Sequence, residues 1–133
     1  MSQAQGAPSP LRLSLLPGAF AICRLPADTP APAWAQGGAF VSVTRTEHEL
    51  SIVCPAASIP PGAPCQAGWR CLRVAGPLDF GLVGVLARLV APLAAAGVPV
   101  FAVSTYDTDY LLVRERDLPR ALDALAALGA PVE

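Results

Sequence analysis

Lysine is absent from this 133-residue chain, and its nine basic residues, all arginine, are scattered along it. Charged residues of both signs make up only 14% of the chain, and the net charge is −1. A basic patch, the electrostatic footprint of nucleic-acid binding, is therefore missing. Hydrophobic residues reach 53%, so the chain has little charge for a soluble monomer. This composition favours one compact domain, or two small subdomains with a common core, that buries surface against another copy.

Cysteine spacing lacks the pattern of a metal site, because the four cysteines form no C-x-x-C and have no histidine at zinc spacing. Cys23, Cys54 and Cys71 fall in predicted strands, where a free thiol behaves as a small hydrophobic group. Cys65 falls in a connection rich in proline and glycine, and we expect it to be the reactive thiol. The sequence thus predicts free cysteines and no metal centre.

A membrane span is not expected either. Residues 80–104 contain a single charged residue, Arg88, and resemble a span by hydropathy. Pro92, Gly97 and Pro99 instead divide this segment into a buried helix and a strand. The N-terminus has no basic region before its first apolar run, which a proline–glycine pair interrupts, so we expect no signal peptide. The chain is predicted to be cytoplasmic, without a membrane partner.

Turn-forming residues divide the chain into two halves. Residues 1–9 lack periodicity and are predicted to be a disordered tail. An N-terminal subdomain over residues 10–60, a Pro/Gly-rich connection over 61–68 and a C-terminal domain over 69–133 follow. We predict a hairpin of strands 11–16 and 19–25, strands 40–44, 50–54 and 69–75, helix 78–96, strands 99–105 and 109–114, and helix 117–128.

The two predicted helices differ in their patterns. The helix over residues 78–96 is apolar around most of its girth, so we expect it to be covered by a second layer, from the other half or another subunit. The helix over residues 117–128 has one apolar stripe. Asp117 is placed to cap it, and Gly129 to end it.

A faint internal repeat relates the halves. Aligning residues 41–53 with residues 101–113 places two acids, two positions apart, before an apolar strand in each half. The aligned pairs are Thr44 with Ser104, Glu47 with Asp107, and Glu49 with Asp109.

The most informative stretch is residues 103–115, V-S-T-Y-D-T-D-Y-L-L-V-R-E, in which two apolar runs flank a polar cluster. Strands favour apolar alternation and turns favour glycine or asparagine, so this concentration of polar side chains indicates a site. The stretch resembles the signature of the ACT-like domain family, which includes bacterial tandem-ACT proteins related to the CASTOR-type arginine sensors. Residues 43–55 and 68–80 also resemble bacterial members, and the likeness spans about residues 11–128.

The resemblance implies an α+β fold of two tandem ACT-like subdomains. Each would be ferredoxin-like (βαββαβ), with an antiparallel sheet and helices on one face. Residues 26–38 depart from this pattern, because they lack a helical stripe and carry three prolines within residues 26–32. We therefore expect the first half to have a reduced helix.

Asp107 and Asp109 are two residues apart, so both carboxylates share one face if the backbone is extended. Two carboxylates at this spacing repel each other unless a cation neutralises them. A ligand ammonium, a guanidinium or a divalent metal would serve. The alternative is structural: Asp107 caps the turn through its own backbone, and Asp109 pairs with an arginine.

The Gly76-Pro77 pair lies at the predicted start of the first helix, where exposed amides bind anions. The resemblance implies a ligand-holding role for the strand-to-helix loop that follows. An amino acid would place its carboxylate at the helix start and a cation at the acidic turn, although Asp79 would compete with that carboxylate or simply stabilise the helix. The predicted ligand-binding residues are Leu78, Asp79, Phe80, Ser104, Thr105, Tyr106, Asp107, Thr108 and Asp109, with Thr44, Arg45 and Glu47 as secondary candidates.

These residues predict a regulatory sensor module, not an enzyme, that binds a small polar ligand at an ACT–ACT interface and forms a homodimer. The ligand most simply predicted is an amino acid. The alternative is a ligand-free dimerisation or docking module for a partner enzyme. A metal-dependent enzyme using Asp107, Asp109 and either Glu47 or His48 is disfavoured, because no nucleophile or base with an orienting partner is recognisable. No catalytic residue, metal or cofactor is predicted.

Overall fold

The computed structural model describes residues 11–78 and 83–133. In these ranges the chain forms an α+β fold whose strands and helices are β1 Leu13–Leu15, β2 Phe20–Leu25, β3 Ser42–Arg45, β4 Leu50–Pro55, β5 Cys65–Val74, α1 Val85–Ala95, β6 Phe101–Ser104, β7 Asp109–Arg114 and α2 Leu118–Leu128. Short 3-10 turns, Ala56–Ser58 and Glu115–Asp117, follow β4 and β7.

The described strands form one antiparallel sheet of seven, with the ten-residue β5 at its centre. The order across the sheet is β3-β4-β2-β5-β7-β6, and β1 pairs with β5 beside β2. The start of β5 pairs with β2 and its later residues pair with β7, so β5 serves both halves. In the first half the strand order is β3-β4-β2-β5. The second half has the equivalent order β6-β7-β5-β1 when β1, although it comes first in the chain, takes the place of its last strand.

The predicted hairpin of β1 and β2 is wrong. Both strands lie end to end along β5, with Leu13 opposite Val74 and Phe20 opposite Trp69. Gly18, with φ of 78°, kinks the chain between them without reversing it. A proline–glycine pair signals a turn locally, whereas the long β5 provides a partner for both strands.

The β3–β4 and β6–β7 hairpins have the same turn. The Thr46 N–H donates to the Glu49 carbonyl (2.9 Å), and the Thr105 N–H donates to the Thr108 carbonyl (2.8 Å). Thr46 therefore corresponds to Thr105, and the repeat alignment inferred from the sequence is wrong by one residue. Because a shift of one residue moves every side chain to the other face of a strand, the aligned acids do not occupy equivalent positions.

The predicted reduction of the helix in the first half is confirmed, since residues 26–41 contain no helix. Loop residues take its place: Trp34 and Ala35 pack on Cys23 and Ile52 of the sheet. The 3-10 turn Ala56–Ser58 likewise leads towards β5 with no counterpart of α2.

Both helices pack on one face of the second half, where they cover Leu72 and Val74 of β5 and Leu111 and Val113 of β7. The opposite face carries a separate cluster that includes Phe20, Val53 and Trp69. Phe40, just before β3, stacks on Tyr110 of β7 at a centroid distance of 4.2 Å. Phe40 lies beside the edge strand β3, whereas Tyr110 lies on β7, next to the other edge strand β6. Because these two residues touch, the sheet is strongly curled.

α1 begins at Val85, later than the predicted start at residue 78. Its Leu89 and Leu93 are fully buried, and α2 lies beside it, so part of its cover comes from the same half and not from the other half or another subunit as expected. The helix is followed by β6, so the predicted division of the apolar segment is confirmed. In the part of the chain that the structure describes, no helix is long and apolar enough to cross a membrane.

Asp117 immediately precedes α2 but does not cap it by a side-chain hydrogen bond, contrary to expectation. Its buried carboxylate instead accepts a hydrogen bond from Nη2 of Arg120 at 2.5 Å. Gly129 ends the helix with φ of 90°, as predicted.

Cys23 and Cys65 form a disulfide between β2 and β5. The expectation of free thiols at these positions is wrong, because the pairing of β2 with β5 places the two residues opposite each other. Cys54 and Cys71 are free and buried, as predicted. Burial raises the pKa of both thiols, that of Cys71 to about 12, so they stay protonated and unreactive at neutral pH.

Thiol labelling tests this assignment. In protein prepared without reductant, we expect iodoacetamide to label no cysteine while the chain is folded, because two thiols are buried and two are oxidised. Unfolding in guanidinium should expose Cys54 and Cys71 to labelling. Reduction should then make Cys23 and Cys65 available for labelling as well. Peptide mass spectrometry identifies the labelled positions, and modification of Cys65 in folded, unreduced protein would contradict the disulfide.

Candidate ligand-binding site

A cavity of about 340 Å³ lies between the β6–β7 turn and the start of α1. The folded chain thus brings together the two segments that carry the predicted site. Asp79 and Phe80 of the predicted set lie outside the described residues. The residues that line the cavity are Leu78, Gly84, Val85, Leu86, Ser104, Thr105, Tyr106, Asp107, Thr108 and Asp109.

Threonine, and not aspartate, closes the β6–β7 turn through its side chain. The Thr105 hydroxyl donates to the Thr108 carbonyl (3.1 Å) and accepts from the Thr108 N–H (3.4 Å). Thr108 is 3% exposed, and its hydroxyl donates to the Val74 carbonyl (2.7 Å). The Leu78 N–H donates to the Asp107 carbonyl (2.6 Å). These bonds tie the turn to the end of β5 and to the segment after it.

Gly76 allows this close approach. A Cβ atom at Gly76 would lie 3.0 Å from Cβ of Thr108 and 3.1 Å from the carbonyl oxygen of Asp107. Glycine has no Cβ, so it is the residue that lets two backbone segments meet at such distances. The position of Gly76 therefore sets the spacing between the turn and the strand-to-helix segment.

The acidic wall of the cavity has two carboxylates. Asp107 is exposed in the turn, whereas Asp109 begins β7, so the backbone between them is not the single extended strand assumed from the sequence. Oδ1 of Asp109 accepts a hydrogen bond from the Ser104 hydroxyl at 2.5 Å. Within residues 11–78 and 83–133, no basic side chain forms a salt bridge with either acid. Both can therefore accept further hydrogen bonds from a cationic group.

The opposite wall is the N-terminus of α1. The first amides of a helix have no partner within the helix and carry partial positive charge. No acidic side chain lies in the first turn of α1. The cavity therefore offers anion-binding amides on one side and carboxylates on the other.

The secondary candidates lie away from this cavity. Thr44 lines a different cavity beside β6. The Arg45 guanidinium donates to the Ala27 carbonyl, and Glu47 is exposed with an oxygen 3.4 Å from Nε2 of His48. Across the described chain, no three His, Cys, Asp or Glu side chains converge to hold a metal ion.

Gly84, Val85 and Leu86 are the lining residues that sequence reasoning missed. The apolar pattern placed them inside a helix that was set to begin too early. The signal available in the sequence was a glycine at position 84, because glycine is acceptable at an N-cap. In the structure Gly84 occupies the N-cap position of α1 with φ of 81°.

Comparison with known proteins defines the class to which this fold and cavity belong. A family model of the ACT domain matches residues 65–127, from the first residue of β5 to the last turn of α2. A second model, described as an N-terminal domain, matches residues 18–62. The match places residues 65–127 of the chain in the ACT-domain family.

Among curated relatives, the rat protein named cytosolic arginine sensor for mTORC1 subunit 1 is 38% identical over 58 residues, which are 43% of this chain and 18% of that protein. The human putative protein CASTOR3P is 29% identical over an alignment of 101 residues, and the match covers 66% of this chain and 62% of that protein. The matches thus span less than two thirds of either relative.

Solved structures have the same fold. A crystal structure of an Agrobacterium tumefaciens protein has a TM-score of 0.88 and 42% identity, and the match covers 95% of this chain and 94% of that chain. The aspartate kinase of Clostridium acetobutylicum, described as an allosteric enzyme, has a TM-score of 0.64 with 8% identity, over 90% of this chain and 34% of that chain. At that identity the likeness shows the fold alone.

Proposed function

We propose that this protein is a regulatory module that binds an amino acid in the cavity between the β6–β7 turn and α1. The observation that carries the proposal is the pairing of two carboxylates, Asp107 and Asp109, with a helix N-terminus across one cavity. The ammonium of an amino acid is attracted to the acids, and its carboxylate to the amides in the first turn of α1. The cavity volume of about 340 Å³ falls in the range of small-molecule sites.

Arginine is the first ligand to test. Its guanidinium is a second cation, which can form charge-assisted hydrogen bonds with a carboxylate that the ammonium leaves free. The arginine sensors among the relatives support this choice. The loops that line the cavity, and not the family resemblance, decide which amino acid binds.

We propose two tandem ACT-like units, over residues 10–60 and 69–133, that are joined through the shared strand β5. Their equivalent strand orders and the matching turns at Thr46 and Thr105 support this arrangement. Asp79 and Phe80, which lie outside the described residues, remain proposed ligand-binding residues together with Leu78, which lines the cavity. Thr44, Arg45 and Glu47 remain secondary candidates in the first unit.

A second copy of the chain would close the site in this proposal. Val83, next to the lining residue Gly84, is 93% exposed, and its apolar side chain would be buried by a partner subunit. A ligand that contacts two subunits binds the dimer more tightly than the monomer and therefore shifts the equilibrium towards the dimer. This non-enzymatic mechanism needs no cofactor. A regulated protein partner would bind the monomer and the dimer with different affinities. A cytoplasmic location agrees with the name of the arginine-sensor relatives.

Isothermal titration calorimetry of the twenty amino acids, beginning with arginine, tests the proposal. We expect a saturable heat for one amino acid with wild type, and a roughly tenfold or greater loss of affinity with Asp109→Asn, because a charge-assisted hydrogen bond is removed. Asp123→Asn removes an equal charge from the exposed side of α2 and should bind as wild type does.

Two outcomes would contradict this assignment. Equal affinity of wild type and Asp109→Asn would exclude the acidic turn as the site. Silence across all twenty amino acids, together with a stable dimer in sedimentation, would favour the ligand-free dimerisation or docking module instead.

A further inference from the structure

A second groove lies on the face of the sheet opposite the helices, between the two edge strands. A cavity of about 380 Å³ is lined by the β3–β4 hairpin and by β6. An adjoining cavity of about 280 Å³ extends from it to β2 and the start of β5. Glu49, Ser51 and Phe101 line both cavities, which therefore form one continuous space, here called the inter-edge groove. Of the described residues, Ser104 is the one that it shares with the cavity beside α1.

One end of the inter-edge groove carries a charge of each sign. Nε of Arg24 lies 3.9 Å from Oε1 of Glu49, at the limit of a salt bridge, and the two side chains are 66% and 42% exposed. Nη2 of Arg24 also donates to the His48 carbonyl (3.0 Å), which holds the guanidinium at this position. A long, hydrated ion pair contributes little stability by itself. Its two charges are therefore available to a ligand that carries both signs.

Beyond this pair, the hydroxyls of Ser42, Thr44 and Ser104 line the part of the groove beside β3 and β6, whereas the part beside β2 and β5 is mostly apolar. Ile22, Trp69 and Phe101 line it, and the rings of Trp69 and Phe101 meet edge-on at 6.5 Å. Trp69 is 7% exposed, and its buried Nε1–H has no acceptor among the described residues. Because this N–H is covered, the apolar part of the groove offers ring and aliphatic surface to a ligand, and not a hydrogen bond.

We propose that the inter-edge groove is a second ligand site, for an α-amino acid with an apolar side chain. One carbon atom separates the ammonium and carboxylate of such a ligand, so they fit a neighbouring Glu49 and Arg24. The apolar side chain then lies along Phe101 towards Trp69. Ligand in this groove contacts β4 and β2 of the first half and β6 of the second, and so stabilises the curled sheet.

This inference does not rest on the proposed function, because the groove is complete within one chain and lies apart from the acidic turn. It requires both charges of the ligand head group. 2-Phenylethylamine has the ammonium without the carboxylate, and 3-phenylpropanoate has the carboxylate without the ammonium, so both should bind more weakly than phenylalanine.

Nuclear magnetic resonance titration of the full chain with L-phenylalanine and L-leucine tests the site. We expect saturable shifts of the Ser51 and Phe101 amides and of the Trp69 indole N–H, which Trp34→Phe distinguishes from the other indole. Arg24→Gln and Glu49→Gln should each weaken binding roughly tenfold, the effect of removing one hydrogen bond to a charged group. Arg116→Gln and Glu115→Gln, at exposed positions of the 3-10 turn after β7, should leave the affinity unchanged.

Absence of a shift at the Trp69 indole at millimolar ligand would overturn the proposal, as would equal affinity in Glu49→Gln. Shifts confined to residues 104–109 would also overturn it, while supporting the site beside α1. Failure of the calorimetric experiment with Asp109→Asn leaves the groove titration unaffected, so the two proposals fail separately.

Discussion

Replacing Leu93 with alanine should lower the free energy of unfolding by about 2–5 kcal/mol, the range for a buried leucine whose removal leaves a cavity. Leu93 is fully buried in the cluster that α1 and α2 form on the sheet. The helices cover β5 and β7 from one side, and the sheet is anchored by pairing across its whole width, so the space cannot collapse freely. Chemical denaturation followed by circular dichroism measures the loss.

Leu128→Ala is the matched control, because Leu128 on α2 is 39% exposed. We expect a loss of about 1 kcal/mol or less for this replacement. Equal losses in the two variants would contradict the buried face assigned to α1.

Leu89, which is also fully buried, is a poor position for a charged variant aimed at dimerisation, since the fold itself would fail. The exposed Val83 suits that purpose.

Thr108→Val should weaken both the fold and the proposed amino-acid site. Valine preserves the shape of threonine but removes the hydroxyl that donates to the buried Val74 carbonyl. Loss of such a bond costs about 1–3 kcal/mol when the remaining partner is left unsatisfied. The turn that carries Asp107 and Asp109 is then less often in its binding conformation, so the apparent affinity for the amino acid falls with that population.

Thr108→Ser provides the control, because serine keeps the hydroxyl and loses one methyl group. Denaturation and calorimetry on both variants should show a smaller effect for serine than for valine. Equal or larger loss with serine would mean that packing of the methyl group, and not the hydrogen bond to β5, holds the turn.

Local patterns predicted much of the second half. β7 begins and ends at the predicted residues, and α2 ends at Leu128 before Gly129. Apolar alternation and helical periodicity act between near neighbours, so they are readable without the fold. The start of α1 was predicted too early, because Pro77 and the apolar run after it both suit a helix.

The candidate site was predicted fully on one side and only in part, at Leu78, on the other. The polar cluster between two apolar runs singled out residues 104–109, which form the acidic wall of the cavity. The opposite wall at Gly84 depends on where α1 begins after the strand-to-helix segment. The roles within the turn were also hidden, since nothing in the sequence distinguishes the buried Thr108 from the exposed Asp107.

By itself, the amino-acid sequence determined which segments form strands and helices and which turn carries the polar side chains, because these follow from preferences of adjacent residues. Only the tertiary structure decided that β1 and β2 share β5, that Cys23 meets Cys65, and that β3 and β6 line one groove. Each of these joins residues far apart in the chain. Their register is selected by burial across the whole sheet, which no local pattern reveals.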